Sequence, residues 1–170
     1  MKKYLIGAFA LGFASAAAGT DIHSQQGGFL GVKAGVMQVD VQDGTGIDLD
    51  NSTNLGLYAG YVGENGLGFE LEYTQPTSES DTGLPSVTYE LRTMAVYGTF
   101  RSEGNIYLKG KAGYLRENIK ISGPGGSVSE NETGLSLGGG VGFMLGNSRL
   151  ELEYTIIESD VNYLSVGFIF

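Results

Sequence analysis

From about Gly28 onward, apolar and polar residues take turns along the chain, the spacing that sends successive side chains to opposite faces of a β-strand. Between Leu67 and Thr74, one face collects Leu67, Phe69, Leu71 and Tyr73 and the other Gly68, Glu70, Glu72 and Thr74. The same split separates Leu150, Leu152, Tyr154 and Ile156 from Glu151, Glu153 and Thr155. It separates Ile106, Leu108, Gly110, Ala112 and Tyr114 from Tyr107, Lys109, Lys111 and Gly113. A helical period is absent. The pattern predicts eight strands, at 28–41, 54–63, 66–75, 87–101, 104–118, 132–146, 148–158 and 161–170.

The connections alternate as well. Stretches 42–53, 76–86, 119–131 and 159–161 are rich in Gly, Asp, Ser and Pro, whereas the turns near 63–65, 102–104 and 146–148 are short. Long loops after odd strands and short turns after even ones describe an all-β, eight-stranded antiparallel up-and-down transmembrane β-barrel. An internal repeat agrees with that count. The run Leu55-Gly-Leu-Tyr-Ala-Gly-Tyr, followed by Glu70-Leu-Glu-Tyr-Thr74, matches Leu137-Gly-Gly-Gly-Val-Gly-Phe, followed by Glu151-Leu-Glu-Tyr-Thr155. Upstream, Leu30-Gly-Val-Lys-Ala-Gly35 echoes Leu108-Lys-Gly-Lys-Ala-Gly113, so the first three strands parallel the fifth to seventh. By extension the fourth parallels the eighth, which puts Met94, Val96, Gly98 and Phe100 on the apolar face and leaves Glu90 and Arg92 near the outer rim.

The N-terminus has a different pattern. Met1-Lys2-Lys3 is a short positive stretch, Tyr4 to Phe13 is apolar, and Ala14-Ser15-Ala16-Ala17-Ala18 supplies the small residues that a signal peptidase accepts. Residues 1–18 are expected to be a cleaved signal peptide, 19–27 a periplasmic tail, and 28–170 the barrel. The apolar run is shorter than the roughly 20 residues of a membrane-spanning helix, and no later stretch reaches that length. Spanning after export therefore falls to strands. With 19 acidic and 10 basic residues, the formal charge of -9 disfavours nucleic-acid binding. No cysteine is present, which excludes disulfides and thiolate chemistry. The 29 glycines follow no collagen-like period.

In the order of these segments the chain resembles the small outer-membrane β-barrel proteins, including the OmpA-type transmembrane domain. The resemblance rests on the signal-like start, Gly31-Val-Lys-Ala-Gly35, Leu57-Tyr-Ala-Gly-Tyr61, Glu70-Leu-Glu-Tyr-Thr74 and the terminal Tyr163-Leu-Ser-Val-Gly-Phe-Ile-Phe170. It implies that Phe170 is the C-terminal aromatic read by the barrel-assembly machinery, and that the protein resides in the bacterial outer membrane among its lipids. The sequence ends at Phe170, so the peptidoglycan-binding domain of full-length OmpA, and cell-wall tethering with it, is not expected.

On this architecture Tyr73, Tyr114 and Tyr154 form an outer aromatic girdle, and Tyr61, Phe100, Phe143, Phe168 and Phe170 an inner one. The opposite faces carry Lys33, Glu70, Glu72, Lys109, Lys111, Glu151 and Glu153. Positive and negative strands then alternate around the lumen. Eight strands leave an interior that side chains can fill, so these groups are expected to form an ionic network instead of lining an open pore.

Catalytic chemistry is thinly represented, and the chain is not expected to be an enzyme. Acyl transfer on such barrels needs a His-centred base near a nucleophile, and the single histidine, His23, precedes the first strand. Asp43, Asp48 and Asp50 lack the calcium-loop spacing. The stretch Gly138-Gly-Gly-Val-Gly142 lacks the Gly-Lys-Ser/Thr ending of a phosphate loop and lies mid-strand, where glycine leaves room for a long lumen side chain. No metal or cofactor is expected. A structural or surface-interaction barrel is therefore the first reading, with acidic loops facing an extracellular ligand or a host. A narrow gated ion-conducting pore is second, and a lipid-modifying barrel enzyme third. A monomer is expected.

Overall fold

The computed structural model describes residues 25–39, 52–77, 80–81, 88–123, 126–158 and 161–170. The expected signal peptide, His23 and the carboxylates Asp43, Asp48 and Asp50 lie outside these residues. The strands are β1 (Gly27–Val39), β2 (Ser52–Val62), β3 (Leu67–Pro76), the two-residue β4 (Ser80–Asp81), β5 (Thr88–Arg101), β6 (Ile106–Gly123), β7 (Gly126–Leu145), β8 (Ser148–Glu158) and β9 (Val161–Ile169). All neighbours pair antiparallel, β3 pairs with β5, and β1 with β9 closes the ring, giving a barrel of eight strands. β4 stands outside that ring, paired only through Ser80 and Asp81 to Tyr89 and Thr88 of β5.

Short turns gather at one end. Leu145 and Ser148 face each other across Gly146-Asn147, and Gly146 has φ of 65°, the left-handed conformation that two-residue hairpin turns require. The turn between β2 and β3 closes with the Gly63 N–H donating to the Leu67 carbonyl at 2.8 Å. Gln25, within the expected periplasmic tail, is buried at this end. Its side-chain amide donates to the carbonyls of Ser102 at 3.3 Å and Gly104 at 3.4 Å.

The opposite end departs from expectation at the third long connection. The sequence pattern predicts a loop over 119–131, but β6 and β7 run 18 and 20 residues and stay paired from Ile106↔Phe143 to Gly123↔Gly126. A tilted strand crosses a bilayer with about 9–11 residues, so this hairpin projects well past the membrane. β5 accompanies it as far as Thr88↔Ser122. β8 pairs with β7 only from Leu137 to Leu145, so Gly126–Ser136 has no strand neighbour other than β6 among the described residues.

Burial follows the sequence alternation. Leu30, Val32, Leu55, Leu57, Leu71, Met94, Val96, Leu137, Leu152 and Val166 are exposed on the outside, while polar and charged residues fill the inside. This inverts a water-soluble protein. Two apolar clusters occupy the interior as well. Met37, Leu91, Ala95, Tyr97, Leu115, Ile157, Val161 and Tyr163 pack together toward the long-loop end. Phe29, Tyr58, Val62 and Ile169 pack toward the short-turn end. The ionic network expected on the inward face is thus accompanied by apolar layers that the strand alternation does not predict.

Candidate functional site: the lumen network and the projecting sheet

All seven charged residues expected in the lumen are buried and in contact with one another. Lys109 on β6 donates to Glu70 on β3 at 2.7 Å, to Glu151 on β8 at 2.9 Å and to Glu153 on β8 at 2.7 Å. Lys111 reaches Glu72 at 2.5 Å and Glu153 at 2.8 Å. Lys33 on β1 reaches the same two carboxylates at 2.7 and 3.4 Å. Every one of these contacts skips a strand. β1 and β6, on opposite sides of the ring, supply the lysines, and β3 and β8 supply the glutamates.

Arg101 was missed. Its side chain is 0% exposed, with one guanidinium nitrogen 2.9 Å from Glu70 and another 3.0 Å from Glu151. It completes a set of four cations facing four carboxylates, so the network is neutral. The signal was present, because Arg101 shares the inward parity of Tyr97 and Thr99 while Phe100 faces out. Tyr107 donates to Glu151 at 2.7 Å. Rings cover the cations: the Lys33 ammonium lies 4.4 Å from the Tyr58 centroid, Lys111 lies 4.5 Å from that of Tyr97, and the Arg101 guanidinium 4.9 Å from that of Phe29. The Arg149 guanidinium lies 5.2 Å from the same Phe29 centroid and donates to the Gln25 carbonyl at 3.4 Å.

Glycines make room for this. A Cβ on Gly142 would lie 2.1 Å from Cζ of Tyr107, and one on Gly138 would lie 2.7 Å from Cε of Lys111. A carboxylate oxygen from each of Glu70, Glu72 and Glu153 lies within 4.8 Å of the others, a spacing at which oxygen ligands hold a divalent cation. Here lysine ammonium groups supply the positive charge. Burial of so many charges is tolerable only because each is paired several times over.

Outside, Tyr61, Tyr73, Phe100, Tyr114, Phe143 and Tyr154 are all exposed, as are Phe170 and, partly, Phe168. Phe168 and Phe170 pack edge to face at 5.4 Å. A closed barrel with an apolar exterior and a charged interior needs a hydrocarbon solvent around it. The model of the outer membrane protein β-barrel domain matches residues 6–168. The chain belongs to this family. It is accordingly a protein of the bacterial outer membrane.

Solved structures agree on the fold. Ail, the attachment invasion locus protein of Yersinia pestis, is 19% identical, with 85% of this chain and 95% of that one covered and a TM-score of 0.60. Neisserial surface protein A is 15% identical over 84% and 95% of the two chains, with a TM-score of 0.66. The outer membrane protein OprG of Pseudomonas aeruginosa is 14% identical over 85% and 97%, with a TM-score of 0.56. No curated protein matches the sequence.

Proposed function

We propose that this outer-membrane protein is a non-catalytic surface-interaction barrel, in which a plugged, rigid wall holds the β5–β6–β7 sheet out from the cell to meet an extracellular ligand or a host surface. One observation carries the reading: β7 extends from Gly126 to Ser136 beyond its pairing with β8, leaving one strand edge without a neighbour among the described residues. Such an edge offers a row of backbone donors and acceptors to an incoming strand. Glu130 and Glu132 along it are exposed, as is Val128 at 66%. Charge keeps the edge soluble, and the apolar side chain gives a partner something to bury. A precedent for ligand capture on this fold is Ail, which was crystallised with the heparin analogue sucrose octasulfate.

In this reading the short-turn end faces the periplasm, residues 1–18 are removed on export, the outward tyrosines and phenylalanines form the two interfacial girdles, and Phe170 is read by the assembly machinery. The protein acts as a monomer. The pore remains the second reading, favoured by the fact that Lys109 touches three carboxylates and so has partners to exchange.

The test compares cells displaying the full chain with cells in which residues 119–130 are replaced by a two-residue turn. Retention on cultured host-cell monolayers is measured after confirming by boiling-sensitive gel mobility that both barrels are folded. Loss of retention in the shortened form is expected; equal retention contradicts the proposal.

A further inference from the structure

The chain holds 10 basic residues, and their distribution is uneven. Lys2 and Lys3 belong to the N-terminal segment, and Lys33, Arg101, Lys109, Lys111 and Arg149 are buried in the lumen. The remaining three, Arg92, Arg116 and Lys120, all fall on two adjacent strands. In the β5–β6 register Met94 opposes Arg116, Arg92 opposes Asn118 and Glu90 opposes Lys120. Arg92 is therefore diagonal to both Arg116 and Lys120 on one face, within reach of long side chains.

That face is the outward one. Arg116 follows Tyr114, and Arg92 precedes Met94, in the same parity as the exposed apolar residues of the membrane band. On the neighbouring strands the first outward residues past the apolar set are uncharged: Gln75 on β3 and Thr133 on β7. The inward-facing parity of the projecting sheet carries Glu117, Glu130 and Glu132 instead. The outward face of the sheet thus carries three basic residues against the single carboxylate of Glu90, while the inward-facing parity is acidic. Arg92 keeps one acidic neighbour, Glu90, at 2.9 Å, and half of its side chain remains exposed.

We propose that Arg92, Arg116 and Lys120 form a binding site for the phosphate groups of anionic lipids in the leaflet at the long-loop end. Two guanidinium groups and an ammonium suit phosphate oxygens, guanidinium by its forked donors and lysine as a point charge. Arg92 and Arg116 lie one outward step past the apolar residues Met94 and Tyr114, where headgroups lie, and Lys120 stands two outward positions farther along β6. The site goes beyond the surface-interaction role, because it uses the outward face of the sheet and leaves the β7 edge free.

Lipid selectivity measured with spin-labelled lipids tests this directly. The full chain is reconstituted in phosphatidylcholine, and the association of spin-labelled phosphatidic acid is compared with that of spin-labelled phosphatidylcholine. A preference for phosphatidic acid of about fivefold is expected, the size of one basic side chain at an anionic surface, and it should weaken as salt rises. The triple variant R92Q/R116Q/K120Q should lose the preference, and the charge-conserving R92K/R116K/K120R should keep it. No preference in the wild type overturns the proposal, as does loss in the charge-conserving variant. Binding of sucrose octasulfate by the reconstituted protein without any lipid preference would also overturn it, assigning the patch to a soluble polyanion. Cell retention does not enter this readout, so either proposal can fail alone.

Discussion

Lys109 and Glu153 meet at 2.7 Å across β7, and the residue directly between them in the register is Gly140. A Cβ there would press on the backbone carbonyl of Leu152 and lie 3.1 Å from Cγ of Glu153. The glycine-rich stretch of β7 is thus a floor over which the two charged strands reach each other. Gly140→Val should push Glu153 off its lysine partners. Overpacking costs about 1–3 kcal/mol, and an unfolding midpoint in urea, taken in lipid vesicles, should fall accordingly.

Removing one member of the network should cost more than removing two. Lys109→Met leaves Glu70, Glu151 and Glu153 short of a shared cation, and breaking a buried pair costs about 3–5 kcal/mol. Adding Glu153→Gln to that variant restores the charge balance and should recover part of the loss. A double-mutant cycle from urea unfolding checks it; additive losses would show that the two residues do not share one network.

Charge should be tolerated differently on the lipid-facing band and on the projecting sheet. Val96 is exposed in the apolar band, whereas Val128 is exposed on the projecting sheet. Val96→Arg should destabilise the folded barrel by about 2–4 kcal/mol if it lies near the bilayer midplane. Val128→Arg, in water, should change stability within about 0.5 kcal/mol. Folding equilibria into vesicles measure both.

Tyr107→Phe removes the hydroxyl that donates to Glu151 at 2.7 Å while keeping the ring over Gly142. A hydrogen bond to a charged group contributes about 1.5–3 kcal/mol. The loss should appear in the same unfolding assay, with the barrel still showing boiling-sensitive mobility on gels.

Alternation was legible wherever the two faces of a strand meet different solvents. Leu67, Phe69, Leu71 and Tyr73 meet lipid while Glu70 and Glu72 meet lysines, so the period of two is written in hydrophobicity and the register follows. Above the membrane that contrast disappears. From Ser127 to Thr133 both faces of β7 are exposed, every residue except Val128 is polar, and the pattern reads as a loop although the strand continues. The interior caps were hidden for the converse reason. Around Leu91 and Leu115 the contrast is reversed, because the inward residues are apolar while the outward neighbours Glu90, Arg92 and Arg116 are charged, and alternation there does not say which way is in. Arg101 was lost at a strand end, where parity had to be carried one residue past Phe100. The lysine and glutamate strands were recoverable because the internal repeat places them opposite each other, an arrangement that depends only on strand order.

In the proposed surface-interaction role the lumen is filled and the projecting sheet does the work. Conductance of the full chain in planar lipid bilayers tests this most directly. The account predicts no steps above the bare membrane for the wild type, and their appearance only in a variant such as Glu72→Gln with Glu153→Gln, which strips Lys33 and Lys111 of their carboxylates. Well-resolved opening steps in the wild type would contradict it and make the charge network a gate.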